Sequence, residues 1–291
     1  MVHKRFDIEH WKSFFSLSHL SRATGEKTPE VSSISGPYDI AVLEQLRDDS
    51  YAHLARIERI PTDIFIWSRG EADQRAVTKI GGVPYRLRAS PWPVAPSGAT
   101  MTFVAQICFT DSRDLVPALP GDVLLIFTEA RNWGNEENPL YDFMGEDEDD
   151  TFLLFEWVSL TTLPLVMRQD IPETGLHILP CYGSIYRSWD YPAVDGFAYP
   201  EIAAYIPPVV AATKIGGVCP YQDQEYQSTQ GYLCSLSSLA NNISFPFPFL
   251  NVPEPISWEE WQQSHPLRIG DIGLINLFLN PDGSIRWTFH G

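Results

Sequence analysis

The side chains able to do chemistry are scattered along this chain. Its seven histidines stand at positions 3, 10, 19, 53, 177, 265 and 290. None falls in the H-E-x-x-H spacing that puts two imidazoles on one helix face toward zinc. His10 and His19 are too far apart to share neighbouring helical turns. The four cysteines (Cys108, Cys181, Cys219, Cys234) form no C-x-x-C pair, and none has zinc-finger spacing to a histidine. A nucleophile elbow, G-x-S-x-G, is absent. Cys181 and His177 are close in sequence and could pair a thiol with a base, but four cysteines and seven histidines supply such coincidences freely. The sequence therefore assigns no catalytic residue, no metal site and no cofactor, and reads as a protein that is not an enzyme.

Carboxylates are the most concentrated reactive groups. Glu146, Asp147, Glu148, Asp149 and Asp150 run consecutively, with Glu136, Glu137 and Asp142 just upstream. No Lys or Arg occurs from Asn132 through Met167 to neutralise them. Five adjacent carboxylates repel one another and must stay solvated. They lack the alternating acids, central glycine and distal glutamate of a calcium loop. The run is either a solvated loop or a docking surface for a basic partner. The charge of the whole chain has the same lean. Residues 1–131 hold 15 basic and 16 acidic side chains, whereas residues 132–291 hold 5 and 21, so almost all of the net charge of −17 lies in the second half. Such a field repels nucleic acid and anionic membranes and speeds encounter with a basic protein.

A second constellation is a repeat. Thr78-Lys79-Ile80-Gly81-Gly82-Val83 returns as Thr213-Lys214-Ile215-Gly216-Gly217-Val218. Each copy is followed by a strand-like run, Met101–Ile107 and Gly231–Leu236. A Gly-Asp pair then opens an apolar run, Gly121-Asp122 before Val123–Phe127 and Gly270-Asp271 before Ile272–Phe278. A period this long means two related lobes rather than a solenoid. The apolar runs predict strands buried on both faces. Gly81, Gly82, Gly216 and Gly217 are read as structural turns where the lobes meet; cradling an anion is the other use of such a pair.

The elements that must position these groups follow from periodicity. Trp11, Phe14, Phe15 and Leu17 predict a helix within 6–20, and Ile40, Leu43, Leu46, Leu54 and Ile57 predict another across 38–60, bounded by Pro37 and Pro61. Ile64–Trp67 reads as a buried strand. Ser257-Trp258-Glu259-Glu260 fits a capping box opening a short helix through Gln263. Phe245-Pro246-Phe247-Pro248-Phe249 cannot be a central strand and reads as an extended connection. The 24 prolines and 19 glycines favour short strands and many turns. No apolar run nears the ~20 residues that span a bilayer. With no signal peptide in view, free buried thiols and a cytoplasmic location are expected.

The ordered set Lys79-Ile80-Gly81-Gly82-Val83-Pro84, Met101–Ile107 and Leu119-Pro120-Gly121-Asp122-Val123–Phe127 resembles the YwqG-like family of bacterial proteins. The block from Lys214-Ile215-Gly216-Gly217 through Gly270-Asp271-Ile272-Gly273 resembles that family's C-terminal half. Cys219-Pro220-Tyr221 and the proline-rich stretch before Gly270 depart from its pattern. The resemblance spans about residue 60 to the end. It implies a cytoplasmic α+β protein with N-terminal helices (1–62) followed by a duplicated, β-rich two-lobed fold (63–160 and 161–291, together one domain). It brings no catalytic residues. Its association with toxin–immunity settings implies an immunity protein that neutralises a cognate, nuclease-type toxin by covering its basic surface. Glu136, Glu137, Asp142 and Glu146–Asp150 would make the contact, without direct binding to nucleic acid or membrane. The other expectation is a small-molecule binding protein with its ligand between the lobes, near the two glycine pairs.

Overall fold

The computed structural model describes residues 44, 45, 48, 49, 51, 58–129, 153–174, 178–191, 208–220, 230–239, 267, 269 and 273–290. Among these residues ten strands carry the fold. In chain order they are β1 (Ile60–Arg69), β2 (Lys79–Ile80), β3 (Thr102–Cys108), β4 (Val123–Thr128) and β5 (Leu153–Val158), then β6 (Cys181–Asp190), β7 (Lys214–Gly216), β8 (Tyr232–Ser237), β9 (Leu274–Leu279) and β10 (Ile285–His290). All belong to one antiparallel sheet, in the order β10-β9-β8-β7-β1-β6-β2-β3-β4-β5.

The expected α+β fold with N-terminal helices and two lobes is thereby overturned. Among the described residues, α-helix is confined to positions 44, 45, 48 and 49, and two short 3-10 turns cover Thr110–Leu115 and Arg168–Asp170. The predicted helix across 38–60 does not run to Pro61: Ile60 and Pro61 open β1, opposite Asp190 and Trp189. Proline lacks an amide donor but is tolerated near the start of a strand, so it serves there as readily as beyond a helix end. The predicted helix within 6–20, the Ser257 capping box and the Phe245–Phe249 stretch lie outside the described residues.

The apolar runs behave as their composition demands. β3 and β4 are buried at every position, and β9 at all but the last. The interior is filled by Phe65 and Trp67 of β1, Ile107 of β3, Leu124 and Ile126 of β4, Leu236 of β8, and Ile275 and Leu277 of β9. Each large side chain removed from water contributes about 2–3 kcal/mol. A second cluster, Met101, Phe103, Val123, Leu125 and Phe127, lies on the other face of β3–β4 under Tyr85 and Trp92. Trp92 meets Phe127 edge-on at 5.6 Å between ring centroids. The two outermost strands, β5 and β10, turn partly buried residues toward the interior, Phe155 and Trp157 from one and Trp287 and Phe289 from the other. Trp157 Nε1 donates to the Gly283 carbonyl in the β9–β10 turn at 3.1 Å. The sheet is thus nearly closed, with the shape of a barrel.

The duplication is built in by exchange. Each repeat contributes five strands, β1–β5 and β6–β10, but its first strand pairs with the other repeat's second strand. β1 pairs with β7, and β6 pairs with β2. Lys79 sits opposite Tyr182 on β6, and its counterpart Lys214 sits opposite Ile64 on β1. β1 and β6 pair with each other over ten positions, with Ile66 opposite Ser184 near the middle. An approximate twofold axis therefore passes through that pair, and the repeats form one continuous sheet.

Candidate functional site

The repeated Thr-Lys-Ile-Gly-Gly-Val segment makes the same internal bonds twice. Thr78 Oγ1 accepts the Cys108 amide at the end of β3 (2.9 Å), and Thr213 Oγ1 accepts the Ser237 amide at the end of β8 (3.0 Å). Lys79 Nζ donates to the Val83 carbonyl (2.9 Å) and Lys214 Nζ to the Val218 carbonyl (2.7 Å), so each lysine folds back over the turn that follows it. The turn needs glycine twice, because φ is +59° and +73° at Gly81 and Gly82, and +69° and +73° at Gly216 and Gly217.

Both turns also hold a carboxylate. The Val83 amide donates to Glu71 Oε1 (3.0 Å) and the Val218 amide to Asp190 Oδ2 (2.8 Å). A Cβ on Gly82 would overlap the Glu71 carboxylate, and one on Gly217 would overlap Asp190 and Thr62. The motif is therefore a cradle: a slot left by glycine, a backbone N–H at its floor and a lysine ammonium at its side. Such main-chain concavities suit anions.

The copies differ in how the carboxylate arrives. Asp190 ends β6, has no exposed side-chain surface, and is held from several directions. The Val210 amide reaches its Oδ1 at 2.8 Å, and Lys214, equally buried, reaches its Oδ2 at 2.5 Å. Glu71 follows β1 by two residues, and its side chain is 30 % exposed. Its distance to Lys79 Nζ is 3.9 Å, while Arg168, largely exposed, reaches it at 2.7 Å. Arg75 stands beside them, with Nη2 on the Pro84 and Val166 carbonyls (2.7 and 2.9 Å) and Nε buried without a hydrogen-bond partner. Lys79 has its pKa pushed down to about 8, first by burial and then by Arg75, with Glu71 opposing.

Other polar groups are spent on architecture. Gln106 Oε1 accepts the Tyr85 amide (2.8 Å), and its Nε2 donates to the Arg75 and Val77 carbonyls. Its counterpart in the second repeat is the pair Ser235–Asn276, 2.8 Å apart, with Asn276 donating to the Pro220 carbonyl. Near the twofold axis, buried Asp63 accepts Ser112 Oγ (2.6 Å) and Arg187 Nε (2.5 Å), and Arg187 also grips Asp114 (2.7 and 3.0 Å). Glu44 accepts from Tyr186 and Ser188 of β6, and Asp48 accepts from Trp189 of β6 and from Tyr191 just past it.

Of the residues singled out by sequence, the four glycines sit in these cradles. Gly81 packs on the Ile178 carbonyl and Gly216 on Leu115, so the turns are filled by the protein's own groups. Glu136, Glu137, Asp142 and Glu146–Asp150 lie outside the described residues, as does His177. Cys181 has its pKa pushed up to about 12 by burial, which makes it a poor nucleophile, and all four cysteines are free and buried. Among the described residues no group of three or more His, Cys, Asp or Glu could hold a metal. No described helix is long and apolar enough to cross a membrane. Sequence reasoning missed Glu71, Arg75, Arg168 and Asp190; nothing in their local sequence signals a pairing made only in the folded sheet.

Residues 78–167 match a family described as a domain of unknown function, DUF1963. The matched stretch opens on Thr78 of the first cradle and takes in β2–β5. No curated protein matches the chain.

Proposed function

We propose that this protein is a cytoplasmic, non-catalytic binding protein of the immunity type, which holds a basic, nuclease-type toxin through acidic segments carried on a nearly neutral sheet. The observation behind this reading is where the charge falls. Of the 21 acidic residues from 132 to 291, only Glu156, Asp170, Glu173, Asp190 and Asp282 lie in the described framework, against Arg168, Arg187, Lys214 and Arg286. The other sixteen, the run Glu146–Asp150 among them, belong to the stretches outside it, against Arg268 alone. The described framework spends its carboxylates internally, on Lys214, Arg187 and backbone amides. Sixteen carboxylates against one guanidinium create a long-range field that draws in a cationic surface. The resemblance to the YwqG-like family supports the same reading.

The experiment is a pull-down from the native bacterium at low and high salt, followed by binding kinetics on whatever is retained. Recovery of a basic protein whose association slows at least about tenfold between low and high salt is expected. Replacing Glu146, Asp147, Glu148, Asp149 and Asp150 by their amides should slow association to a similar degree and change dissociation little. A partner whose association ignores both salt and those substitutions would sink the electrostatic reading. Failure to recover any protein partner would sink the immunity reading as well.

A further inference from the structure

We propose that the first cradle is an exchangeable binding site for a small carboxylate anion, with Glu71 as its built-in stand-in. Three observations carry this.

The receptor half is complete without Glu71. The Val83 amide, the slot at Gly82, Lys79 Nζ and the Arg168 guanidinium all converge on the place its carboxylate occupies. Lys79 spends one N–H on the Val83 carbonyl and approaches Glu71 no closer than 3.9 Å, so it has donors left for an anion.

The charge is out of balance. Among the described residues Glu71 is the carboxylate that faces Lys79, Arg75 and Arg168, and Arg75 Nε is buried without a hydrogen-bond partner. Asp170, on the same 3-10 turn as Arg168, is committed to Arg88 at 2.9 Å and to the Met167 amide. In the second cradle Asp190 answers Lys214 inside a sealed pair.

The stand-in is attached so that it can leave. Asp190 belongs to β6, opposite Ile60, and cannot move without opening the sheet. Glu71 lies past the end of β1 at Arg69, joined through Gly70, which has φ of +89° and nothing within 4 Å of where a Cβ would be. The Gly70 amide is held on the Pro180 carbonyl at 2.7 Å, so rotation beyond that amide would withdraw the side chain without breaking a β1 pairing. The resident group is a carboxylate, so the site fits a ligand that presents the same planar pair of oxygens to the N–H and the guanidinium.

The test follows the Val83 and Val218 amides by NMR in the full chain while sodium acetate is added at constant ionic strength. In Glu71→Gln the Val83 amide should shift saturably and Val218 should stay in place. In the wild type the same Val83 shift should appear at least about tenfold higher in acetate, because a tethered carboxylate competes at an effective concentration on the order of millimolar or more. Gly82→Ala should abolish the response, and Arg168→Gln should weaken it several-fold in either background. A Val83 amide that stays still in Glu71→Gln while Val218 keeps its native shift overturns the proposal, and so does parallel, unsaturable drift of both amides. Should Glu71→Gln fail to fold, Arg168→Gln in the otherwise native chain decides. Acetate affinity unchanged by loss of that exposed guanidinium overturns the site.

Discussion

Two lysines in identical sequence surroundings answer to different physics. Lys214 and Asp190 are both removed from water, so deleting either leaves an uncompensated buried charge. Lys214→Met is therefore expected to cost about 3–5 kcal/mol in chemical denaturation. Lys79→Met should cost roughly 1–2 kcal/mol, chiefly the orphaned Val83 carbonyl, because Glu71 keeps Arg168 and partial access to water. Equal costs would contradict the distinction drawn between the cradles. The lysines also differ in what pH does to them. Lys79 falls from an ordinary value of 10.5 to about 8 on folding. Between those values the unfolded chain holds the proton and the folded chain does not, so stability rises with pH across that window. Cys219, Cys181 and Cys234 act oppositely: burial raises all three above their ordinary 9.0, the first two to about 11 and about 12, so the unfolded chain ionises first and their contribution falls as pH rises toward and past 9. The urea midpoint of the wild type should therefore gain on that of Lys79→Met between pH 7.5 and 9, a difference in which the cysteine contributions cancel. The glycines offer a further contrast. Gly217→Ala forces a Cβ into Asp190 and Thr62 at positive φ, whereas Gly70→Ala meets nothing. Gly70→Ala should cost about 1–2 kcal/mol, the backbone term alone, and Gly217→Ala considerably more, as read by the same denaturation.

At the scale of the element, the decisive piece is the central pair of strands. Gly183 lies on β6 beside Phe65, whose ring fills the space that a side chain there would need. Gly183→Val should be strongly destabilising, and Phe65→Ala, itself worth about 3–5 kcal/mol, should recover part of the loss when the two are combined. Simple additivity in the double-mutant cycle would rule out that contact. The same pair marks how far the sequence could be read. β3, β4, β8 and β9 are legible because apolar runs flanked by Gly-Asp or by glycine turns state their burial directly. β6 reads Cys-Tyr-Gly-Ser-Ile-Tyr-Arg-Ser-Trp-Asp, with Ser184, Ile185 and Arg187 exposed, and a half-solvated strand of mixed polarity gives no such signal. β2 and β7 are two and three residues long, below what any period can reveal. The apolar spacing before Pro61 suggested a longer helix than the described residues carry, since Ile60 and Pro61 are recruited into β1 by pairing with β6. The cradle was half legible: the glycines declared a turn, but the carboxylates that complete it come from outside the motif, Glu71 seven residues before the first copy and Asp190 from β6.

At the scale of the molecule, the repeats are not separable units. β1 completes the second repeat's half of the sheet and β6 the first's. A protease site placed at 175–177, in the β5–β6 connection, should yield two fragments that stay together through gel filtration and part only in denaturant. Release under native conditions would mean that the exchanged strands contribute little. The chemical character of the two levels also differs. The sheet holds itself with nearly balanced charge, and most of the negative excess of 132–291 belongs to the stretches between its strands. Under the proposed binding role, changes that alter net charge in Glu146–Asp150 should shift partner association, whereas changes in the cradles should lower the urea midpoint.

The exchange of first strands also sets a schedule for the newborn chain. β1 leaves the ribosome early, yet Ile60 waits for Asp190 and Thr62 for Gly216. At ~5–20 residues per second that delay is on the order of 10 s, during which β1 is synthesised but both of its flanks are unpaired. Its Ile64-Phe65-Ile66-Trp67 stretch is then open to strand capture by neighbouring nascent chains. Translation speed and chaperone supply thus become determinants of yield, and slowing elongation through 70–180 should lower the soluble fraction although the finished protein is unchanged.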